Sequence, residues 1–389
     1  MLWSGPDGER VSPTIFAEMS ALAARTGAIN LGQGFPDTDG PAAVAEAAVR
    51  AIRDGHNQYP PGAGIAELRR AVADHQHRHY GLQVDPDAVL VTTGATEALA
   101  AALLALLEPG DEVVTLEPFY DSYAGVIALA GARHVPVPLV QHPTGFRLDE
   151  AALRAAVGPR TRLLLVNTPH NPTGTVLTVS ELEAIARIAV ESDLVVLTDE
   201  VYEHLTYDAT VHLPLATLPG MAERTLTVSS SGKTYSFTGW KIGWVHGPAG
   251  LVTAVRTVKQ FLTYVSGAPF QPALALALAV DDAPRRLAAS LADRRDLRCE
   301  GLAAAGFTVT VPQGTYFVVA DGAPLGFDDG AELCRRLPAL AGVVAIPLTA
   351  FCRDGSGAHS ALRSSLRFTF VKRAEVLQEA VARLARLNG

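Results

Sequence analysis

The stretch Ser229–Trp244, "SSSGKTYSFTGWKIGW", sets one lysine, Lys233, among hydroxyl-bearing residues and glycines. The chain has only four lysines against twenty-eight arginines, so a lysine at this position suits a reaction that arginine cannot perform. Two interpretations compete, and they imply different folds. "GKT" could end a phosphate-binding P-loop, or Lys233 could form a Schiff base with an aldehyde.

The P-loop interpretation fails on spacing. That motif requires glycine five positions before its Gly-Lys pair, and Thr227 occupies this position. A P-loop also opens a helix, whereas residues 240–246, "WKIGWVH", predict a strand. The sequence therefore excludes a nucleotide loop here and leaves the Schiff-base interpretation.

The sequence on either side of this stretch alternates between short apolar strands and helices. The predicted strands are "AVLVTTG", "DEVVTLEP", "ARHVPVPL", "TRLLLVNTP", "LVVLTDE", "RTLTVSSS" and "WKIGWVHG". Such alternation predicts an α/β fold with a mostly parallel seven-stranded sheet covered by helices. Ligands of such sheets bind beyond the carboxyl ends of the strands. We therefore expect residues 94–96, Tyr120, Asn171, Asp199 and residues 230–233 to lie near one edge.

The pattern changes near Ala283, where a long charged helix leads into mixed strands and helices. This change predicts a smaller α+β domain at the C-terminus. We predict an N-terminal segment (residues 1–44) that joins the small domain, a large ligand-binding domain (45–284) and a small domain (285–389).

Bulk properties exclude several function classes. The net charge of −8 argues against non-specific nucleic-acid binding. The longest apolar run, "ALAAALLALL" (98–107), is too short to span a membrane, and the first residues do not resemble a signal peptide. Cys299, Cys334 and Cys352 lack metal-site spacing, so we expect reduced thiols, no metal site and a cytoplasmic location.

Five residues carry chemistry in a fixed order along the chain: Asn171 in "NTPHNPTG", Asp199 and Tyr202 in "TDEVY", Lys233, and Arg367 in "LRFTF". Singly, most suit a turn, a helix cap, the core or the surface, although an arginine on an apolar strand suggests an anion partner. Together they resemble the class I aminotransferases, pyridoxal-phosphate enzymes of fold type I. The resemblance runs from "INLGQGFPD" to "LRFTFVKR", which is nearly the whole chain.

The resemblance implies a role for each of these residues and adds Tyr120. Pyridoxal phosphate is an aldehyde, so Lys233 would hold it as a Schiff base and then move a proton between Cα and the cofactor. Asp199 would keep the pyridine nitrogen protonated. Tyr202 and Asn171 would hydrogen-bond the ring oxygen O3′, and Tyr120 would stack on the ring.

The same resemblance implies two anion sites. The cofactor phosphate would lie where "TTGATEAL" turns from strand to helix, because helix N-termini suit anions. Its predicted contacts are Ala95, Thr96, Ser230, Lys241 and, from a second subunit, Tyr59; the last of these implies a homodimer. The substrate carboxylate would meet Arg367, Asn171 and the backbone of Gly34.

Lys241 is a departure, since many class I enzymes have arginine eight residues after the Schiff-base lysine. "GKTYSFTGWKIGW" instead resembles a subgroup that includes kynurenine, glutamine and methionine aminotransferases. Within it, "LGQGFPDTDGP", "EPFYDSY" and "GAPFQPA" look most like actinobacterial N-succinyldiaminopimelate aminotransferases. These exchange an amino group between N-succinyl-LL-2,6-diaminopimelate and 2-oxoglutarate in lysine biosynthesis.

Other activities stay open at this point. A kynurenine-, glutamine- or methionine-type aminotransferase is the main alternative, with possible cysteine-conjugate β-lyase activity. A lyase, a decarboxylase, an oxidase or an enzyme of specialised metabolism on the same fold is a further one, because the outcome depends on which Cα bond aligns with the cofactor ring. A DNA-binding regulator is disfavoured, since the core motifs begin near Asn30.

Overall fold

A computed structural model describes residues 14–280 and 282–388 of the chain. The helices are α1 (Ile15–Thr26), α2 (Ala42–Arg53), α3 (Ala66–Tyr80), α4 (Gly94–Leu106), α5 (Asp121–Leu129), α6 (Glu150–Ala156), α7 (Val179–Glu191), α8 (Ser231–Thr234), α9 (Ala249–Lys259), α10 (Phe270–Leu278), α11 (Asp282–Ala304), α12 (Gly330–Ala341), α13 (Gly357–Ala361) and α14 (Ala374–Leu384). The strands are β1 (Ile29–Asn30), β2 (Val89–Thr93), β3 (Glu112–Glu117), β4 (Arg133–Pro138), β5 (Val140–His142), β6 (Gly145–Arg147), β7 (Thr161–Asn167), β8 (Val195–Asp199), β9 (Thr225–Ser230), β10 (Ile242–His246), β11 (Thr308–Thr310), β12 (Phe317–Asp321), β13 (Val343–Val344), β14 (Ile346–Pro347) and β15 (Ser365–Thr369).

A seven-stranded sheet forms the centre of the larger part of the molecule. Its strand order is β2-β10-β9-β8-β7-β3-β4, and β10 is antiparallel to both of its neighbours. The remaining neighbours pair in parallel. The predicted α/β fold with a mostly parallel sheet of seven strands is therefore confirmed.

Burial on both faces explains why the central strands have continuous apolar runs. In β7, Leu163 and Leu165 pack in the cluster that contains α4 and α5 side chains. Leu164 and Val166 point to the opposite face and pack in the cluster that contains Ile185 of α7. Successive strand side chains alternate between faces, so a doubly covered strand needs apolar residues at every position.

A second sheet of four strands has the order β11-β12-β15-β14 and is antiparallel throughout. Strand β15 is internal, and its Arg367 is opposite Val319 of β12 and Ile346 of β14. The N-terminal part of the chain joins this region, because Ile29 of β1 pairs with Val343 of β13. Residues 1–13 of the expected N-terminal segment lie outside the described part of the chain. The domain boundaries themselves stay a prediction.

Strand ends bring the predicted chemistry together. Asp199 is the last residue of β8, and Ser230 is the last residue of β9 and directly precedes α8, which carries Lys233. Helix α4 begins at Gly94 directly after β2. Parallel strands end at the same sheet edge, so these residues meet there. In residues 14–280 and 282–388, no helix is both long and apolar enough to cross a bilayer.

Candidate active site

One pocket opens between the carboxyl edge of the seven-stranded sheet and Arg367 of the four-stranded sheet. Of the twelve residues that the sequence predicts for the site, the pocket brings eleven together: Gly34, Ala95, Thr96, Tyr120, Asn171, Asp199, Tyr202, Ser230, Lys233, Lys241 and Arg367. The molecule thus gathers groups that lie far apart along the chain. Their individual roles stay predictions.

Tyr59 is the predicted residue that does not line this pocket. Its side chain is 82% exposed, and its ring packs edge-on against Tyr264 at a centroid distance of 5.6 Å. The prediction assigned Tyr59 to the pocket of a second subunit, which the single chain does not contain.

Asp199 is buried and held by several donors. The Tyr123 hydroxyl donates to its Oδ2 at 2.7 Å, and the backbone N–H of Val201 donates to its Oδ1 at 3.4 Å. Burial raises the pKa of Asp199 to about 6, and the Tyr123 hydrogen bond and the nearby Lys233 charge act in the opposite direction. A cation placed beside this carboxylate would therefore favour its ionised form.

The sequence did not predict several further residues in and beside the site, among them Tyr123, Asn167 and Tyr316. Tyr123 holds Asp199, and its position three residues after Tyr120 in a helix was the available signal. Asn167 accepts the backbone N–H of Asn171 at 2.7 Å and donates to the carbonyl of Asp199, also at 2.7 Å. The hydroxyl of Tyr316 donates to the Gly34 carbonyl at 2.6 Å. Asn167 is the first residue of "NTPHNPTG", but neither it nor Tyr316 was predicted for the site.

Arg367 forms the opposite wall of the pocket. One of its terminal nitrogens donates to Asn171 Oδ1 at 2.8 Å, and the other donates to the Gly32 carbonyl at 2.9 Å. Its guanidinium carbon lies 3.9 Å from the ring centroid of Phe317. The buried Nε has no hydrogen-bond partner among the described residues. Burial lowers the pKa of Arg367 to about 10, which still leaves it charged at neutral pH.

The start of α4 and its surroundings form a cradle for an anion. The first N–H groups of a helix have no partner within the helix and carry partial positive charge. Gly94 opens α4 with φ +72°, a conformation that favours glycine, and a Cβ there would lie 3.3 Å from Lys241 Nζ. A Cβ on Gly243 would lie 2.7 Å from the backbone nitrogen of Ala95. Both glycines therefore keep the space around the helix start open.

The geometry of this pocket agrees with the comparison with protein families. The protein-family model described as "Aminotransferase class I and II" matches residues 26–384 of the chain. The chain belongs to this family. It is an aminotransferase, an enzyme that moves an amino group between an amino acid and a 2-oxo acid.

Curated relatives of this aminotransferase cover nearly its whole length. A probable N-succinyldiaminopimelate aminotransferase DapC of Mycobacterium tuberculosis is 58% identical over 96% of this chain and 95% of that protein. A methionine aminotransferase of Escherichia coli is 39% identical over 97% of both chains. Kynurenine–oxoglutarate transaminase 3 of Mus musculus is 37% identical over 96% of this chain and 87% of that protein.

Solved structures give the same relationships. The N-succinyldiaminopimelate aminotransferase of M. tuberculosis superposes with a TM-score of 0.94 at 57% identity, covering 97% of each chain. The E. coli protein YbdL, described with a methionine aminotransferase function, superposes with a TM-score of 0.92 at 38% identity, covering 99% of this chain and 100% of that one. The fold of this aminotransferase is thus fold type I.

The donor set of the pocket fits the chemistry of pyridoxal phosphate. The cofactor needs an amine for its aldehyde, a carboxylate for its ring nitrogen and donors for its phosphate. Lys233 supplies an amine, and the buried Asp199 supplies a carboxylate. The start of α4, Ser230 and Lys241 supply donors for a dianion. Each requirement therefore has a matching group in this one pocket.

Proposed function

We propose that this aminotransferase uses pyridoxal phosphate to exchange an amino group between N-succinyl-LL-2,6-diaminopimelate and 2-oxoglutarate. The observation that carries the choice of substrate is the 58% identity with the probable N-succinyldiaminopimelate aminotransferase of M. tuberculosis, spread over 96% of this chain. The proposal places the enzyme in diaminopimelate and lysine biosynthesis in the cytoplasm.

The cofactor would be held by residues of α4, β8 and β9 and by Lys241, which directly precedes β10. Ala95 and Thr96 at the start of α4, together with Ser230 and Lys241, would bind its phosphate through backbone N–H, hydroxyl and ammonium donors. Asp199 would face the ring nitrogen. When bound, pyridoxal phosphate supplies an electron sink for the pair left at Cα after proton loss.

Lys233 would act as the acid and base of the reaction. Its side chain lines the same pocket as Arg367, which would bind the substrate carboxylate. The amine would take the Cα proton and return it to the cofactor carbon two bonds away, a transfer that arginine cannot perform because it stays protonated. Tyr120, on the pocket wall, would pack against the cofactor ring.

Arg367 and Asn171 would bind the substrate carboxylate. Guanidinium binds carboxylate through two parallel N–H donors, and the buried Nε of Arg367 has no partner within residues 14–280 and 282–388. Arg367 donates a hydrogen bond of 2.8 Å to Asn171 Oδ1, and this bond fixes the orientation of the guanidinium plane. Tyr316 orients the peptide of Gly34 beside the same space.

Tyr202 would hold the ring oxygen O3′ together with Asn171. Its ring is buried and packs edge-on against Tyr316 at a centroid distance of 5.3 Å. Burial raises the pKa of Tyr202 well above its ordinary value, so the hydroxyl stays protonated and can donate.

A homodimer would complete the pocket. Tyr59 and Phe261 are 82% and 79% exposed, and Tyr264, which Tyr59 contacts, is 47% exposed. Thr263 of this patch hydrogen-bonds the Thr93 hydroxyl at 3.0 Å, directly before the α4 anion cradle. Exposed aromatic groups at the edge of a site favour burial by a second copy. Tyr59 of that copy would then reach the cofactor phosphate.

A methionine-, glutamine- or kynurenine-type aminotransferase is the second candidate. Its support is the 39% identity with the methionine aminotransferase of E. coli and the 37% identity with a mouse kynurenine transaminase. These enzymes would require the same Lys233, Asp199 and Arg367 but a different contact for the substrate side chain.

A panel of amino donors tests the proposal. The purified enzyme would receive N-succinyl-LL-2,6-diaminopimelate, kynurenine, methionine and glutamine in turn, each with 2-oxoglutarate, and kcat/KM would be compared. We expect the succinylated donor to rank first, with one glutamate formed for each donor consumed. A higher kcat/KM for methionine or kynurenine would favour the second candidate. Release of ammonia and pyruvate from cysteine conjugates without glutamate would indicate β-elimination.

A further inference from the structure

Three histidines meet outside the aminotransferase pocket, on the side of the molecule formed by α3 and the segment after β8. They are His75, His79 and His204, and one ring nitrogen of each lies within 4.8 Å of the others. We propose that these three imidazoles form a binding site for a divalent transition-metal ion of the zinc class. The inference does not depend on the proposed substrate or cofactor.

The helix supplies two of the ligands with chelating geometry. His75 and His79 are four residues apart in α3, so they lie on the same face of the helix one turn apart. Their ring centroids are 4.5 Å apart, and each is 4.9 Å from the ring of His204. Imidazole is a preferred ligand for zinc, copper and nickel, and zinc–nitrogen bonds of about 2.0–2.1 Å put neighbouring ligand atoms about 3.3 Å apart.

The closest contact in the cluster shows where an ion would lie. The Nε2 atoms of His75 and His204 are 2.7 Å apart, a distance that requires one shared hydrogen between the two nitrogens. A metal ion would take the place of that hydrogen between the two nitrogens. The distance between the nitrogens would then increase by about 0.6 Å to reach tetrahedral spacing. The imidazole stays neutral, because the displaced hydrogen moves to its other ring nitrogen.

The buried side-chain amide of Gln76 beside His75 is a second observation that favours a metal site. Its side chain is 1% exposed, and its Nε2 lies 3.4 Å from His75 Nδ1. Its buried Oε1 has no hydrogen-bond partner in the part of the chain that the structure describes. Rotation of the amide would present Oε1 to Nδ1, which carries the hydrogen when Nε2 binds a metal. The rotation gives up a long contact of 3.4 Å to Glu203, whose other carboxylate oxygen keeps the Ser229 hydroxyl at 2.5 Å.

The surroundings suit a cation with an open coordination position. Buried Glu203, at 4% exposure, brings negative charge close to His75. His79 is exposed and His204 is half-buried, so solvent reaches the outer side of the cluster. Three imidazoles and a water molecule complete a tetrahedral zinc shell.

Metal titration of the untagged holoenzyme tests the proposal. The protein would be treated with a chelator, exchanged into chelator-free buffer and titrated with Zn²⁺ in a calorimeter, with Co²⁺ absorbance as a second measurement of coordination. We expect one tight equivalent per chain. The variant His79→Gln should weaken that equivalent by at least about 100-fold, since loss of an outer-shell partner alone costs roughly 10–100-fold. His79 is exposed, so this variant should fold normally and keep its transaminase activity.

His77→Gln is the matched control. His77 lies on the same helix, is exposed and hydrogen-bonds Gln83 instead of the cluster. It should bind Zn²⁺ as the wild type does. Absence of a stoichiometric equivalent in the wild type, or equal affinities of the wild type and His79→Gln, would overturn the proposal. Anomalous diffraction from a zinc-soaked crystal should place the ion at His75, and an ion elsewhere would also overturn it.

Discussion

The two walls of the active-site pocket carry buried groups of opposite charge, and the hydrogen bonding of these two groups differs. Asp199, on the wall from the seven-stranded sheet, accepts hydrogen bonds from Tyr123 and the Val201 N–H. Arg367, on the wall from the four-stranded sheet, leaves its Nε without a partner among the described residues. Its other guanidinium nitrogens donate hydrogen bonds to Asn171 and to a backbone carbonyl.

This difference in hydrogen bonding agrees with how long the ligand of each charged group would stay bound. A carboxylate held from several sides keeps one orientation, which suits a cofactor that stays through every turnover. A guanidinium with an unused donor gains a hydrogen bond whenever a carboxylate arrives, which suits a substrate that enters and leaves. The following changes test each wall in turn.

Replacing Lys233, which lines the same pocket, should have the largest effect. Lys233→Ala and Lys233→Arg should both lower kcat by about 10⁴-fold or more, at the upper end of general acid–base contributions. Arginine keeps the positive charge but can neither form the Schiff base nor give up a proton. Both variants should also lose the visible absorbance of the bound cofactor. An active Lys233→Arg variant would mean that only the charge of Lys233 matters.

Asp199→Asn should remove the charge of the first wall while keeping its shape. Loss of a hydrogen bond between charged groups costs about 1.5–3 kcal/mol, which is about 10–150-fold in kcat/KM. Asp208→Asn is a control, because Asp208 pairs with Arg295 away from the pocket. Near-normal rates for Asp199→Asn would show that this carboxylate does not hold the ring nitrogen.

The same variant should stabilise the cofactor-free chain at neutral pH. Burial raises the pKa of Asp199 from 3.8 to about 6, so the folded chain holds a proton that the unfolded chain releases between these values. Stability of the empty chain therefore falls as the pH rises through this window, by at most about 3 kcal/mol. In urea unfolding, Asp199→Asn should gain stability over the wild type at pH 7 and lose that gain near pH 4. A gain of equal size at both pH values would exclude ionisation as its cause.

Arg367→Lys should weaken binding of the substrate carboxylate, with a smaller effect on kcat/KM than the replacement of Asp199. Lysine keeps the charge but offers no bidentate fork, so about one charge-assisted hydrogen bond of roughly 1.5 kcal/mol is lost. We expect kcat/KM for the amino donor to fall about tenfold, mainly through KM. Arg363→Lys should have no effect, since Arg363 is exposed and pairs with Asp329. A fall in kcat alone would place Arg367 outside substrate binding.

Tyr123→Phe should have the smallest effect and the most specific one. Losing a hydrogen bond of about 1 kcal/mol should lower kcat/KM about fivefold at neutral pH. That bond lowers the pKa of Asp199, so its removal should shift the acid limb of the pH–rate profile to higher pH. Tyr207→Phe loses a buried hydrogen bond to the Thr315 carbonyl and should leave the acid limb in place. An unshifted limb in Tyr123→Phe would contradict a role through Asp199.

The sequence predicted those features that depend on local order along the chain. Periodicity located the strands that end at Asp199 and Ser230, because a strand covered on both faces needs a continuous apolar run. The spacing around Lys233 excluded the P-loop because that motif depends on local backbone geometry. The hydrogen bond between Tyr123 and Asp199 joins residues 76 positions apart, and no local pattern indicates such a pair.

The sequence by itself thus determined the α/β fold, the aminotransferase family and the identity of eleven residues that meet in one pocket. Only the tertiary structure decided how their charges are held, because partners such as Tyr123, Asn167 and Tyr316 approach from separate elements. The histidine cluster shows the same division: spacing in α3 pairs His75 with His79, but only packing brings His204 to them. Side chains on different elements meet according to the topology of the fold. That topology is a property of the whole packed chain and cannot be read from residues adjacent in the sequence.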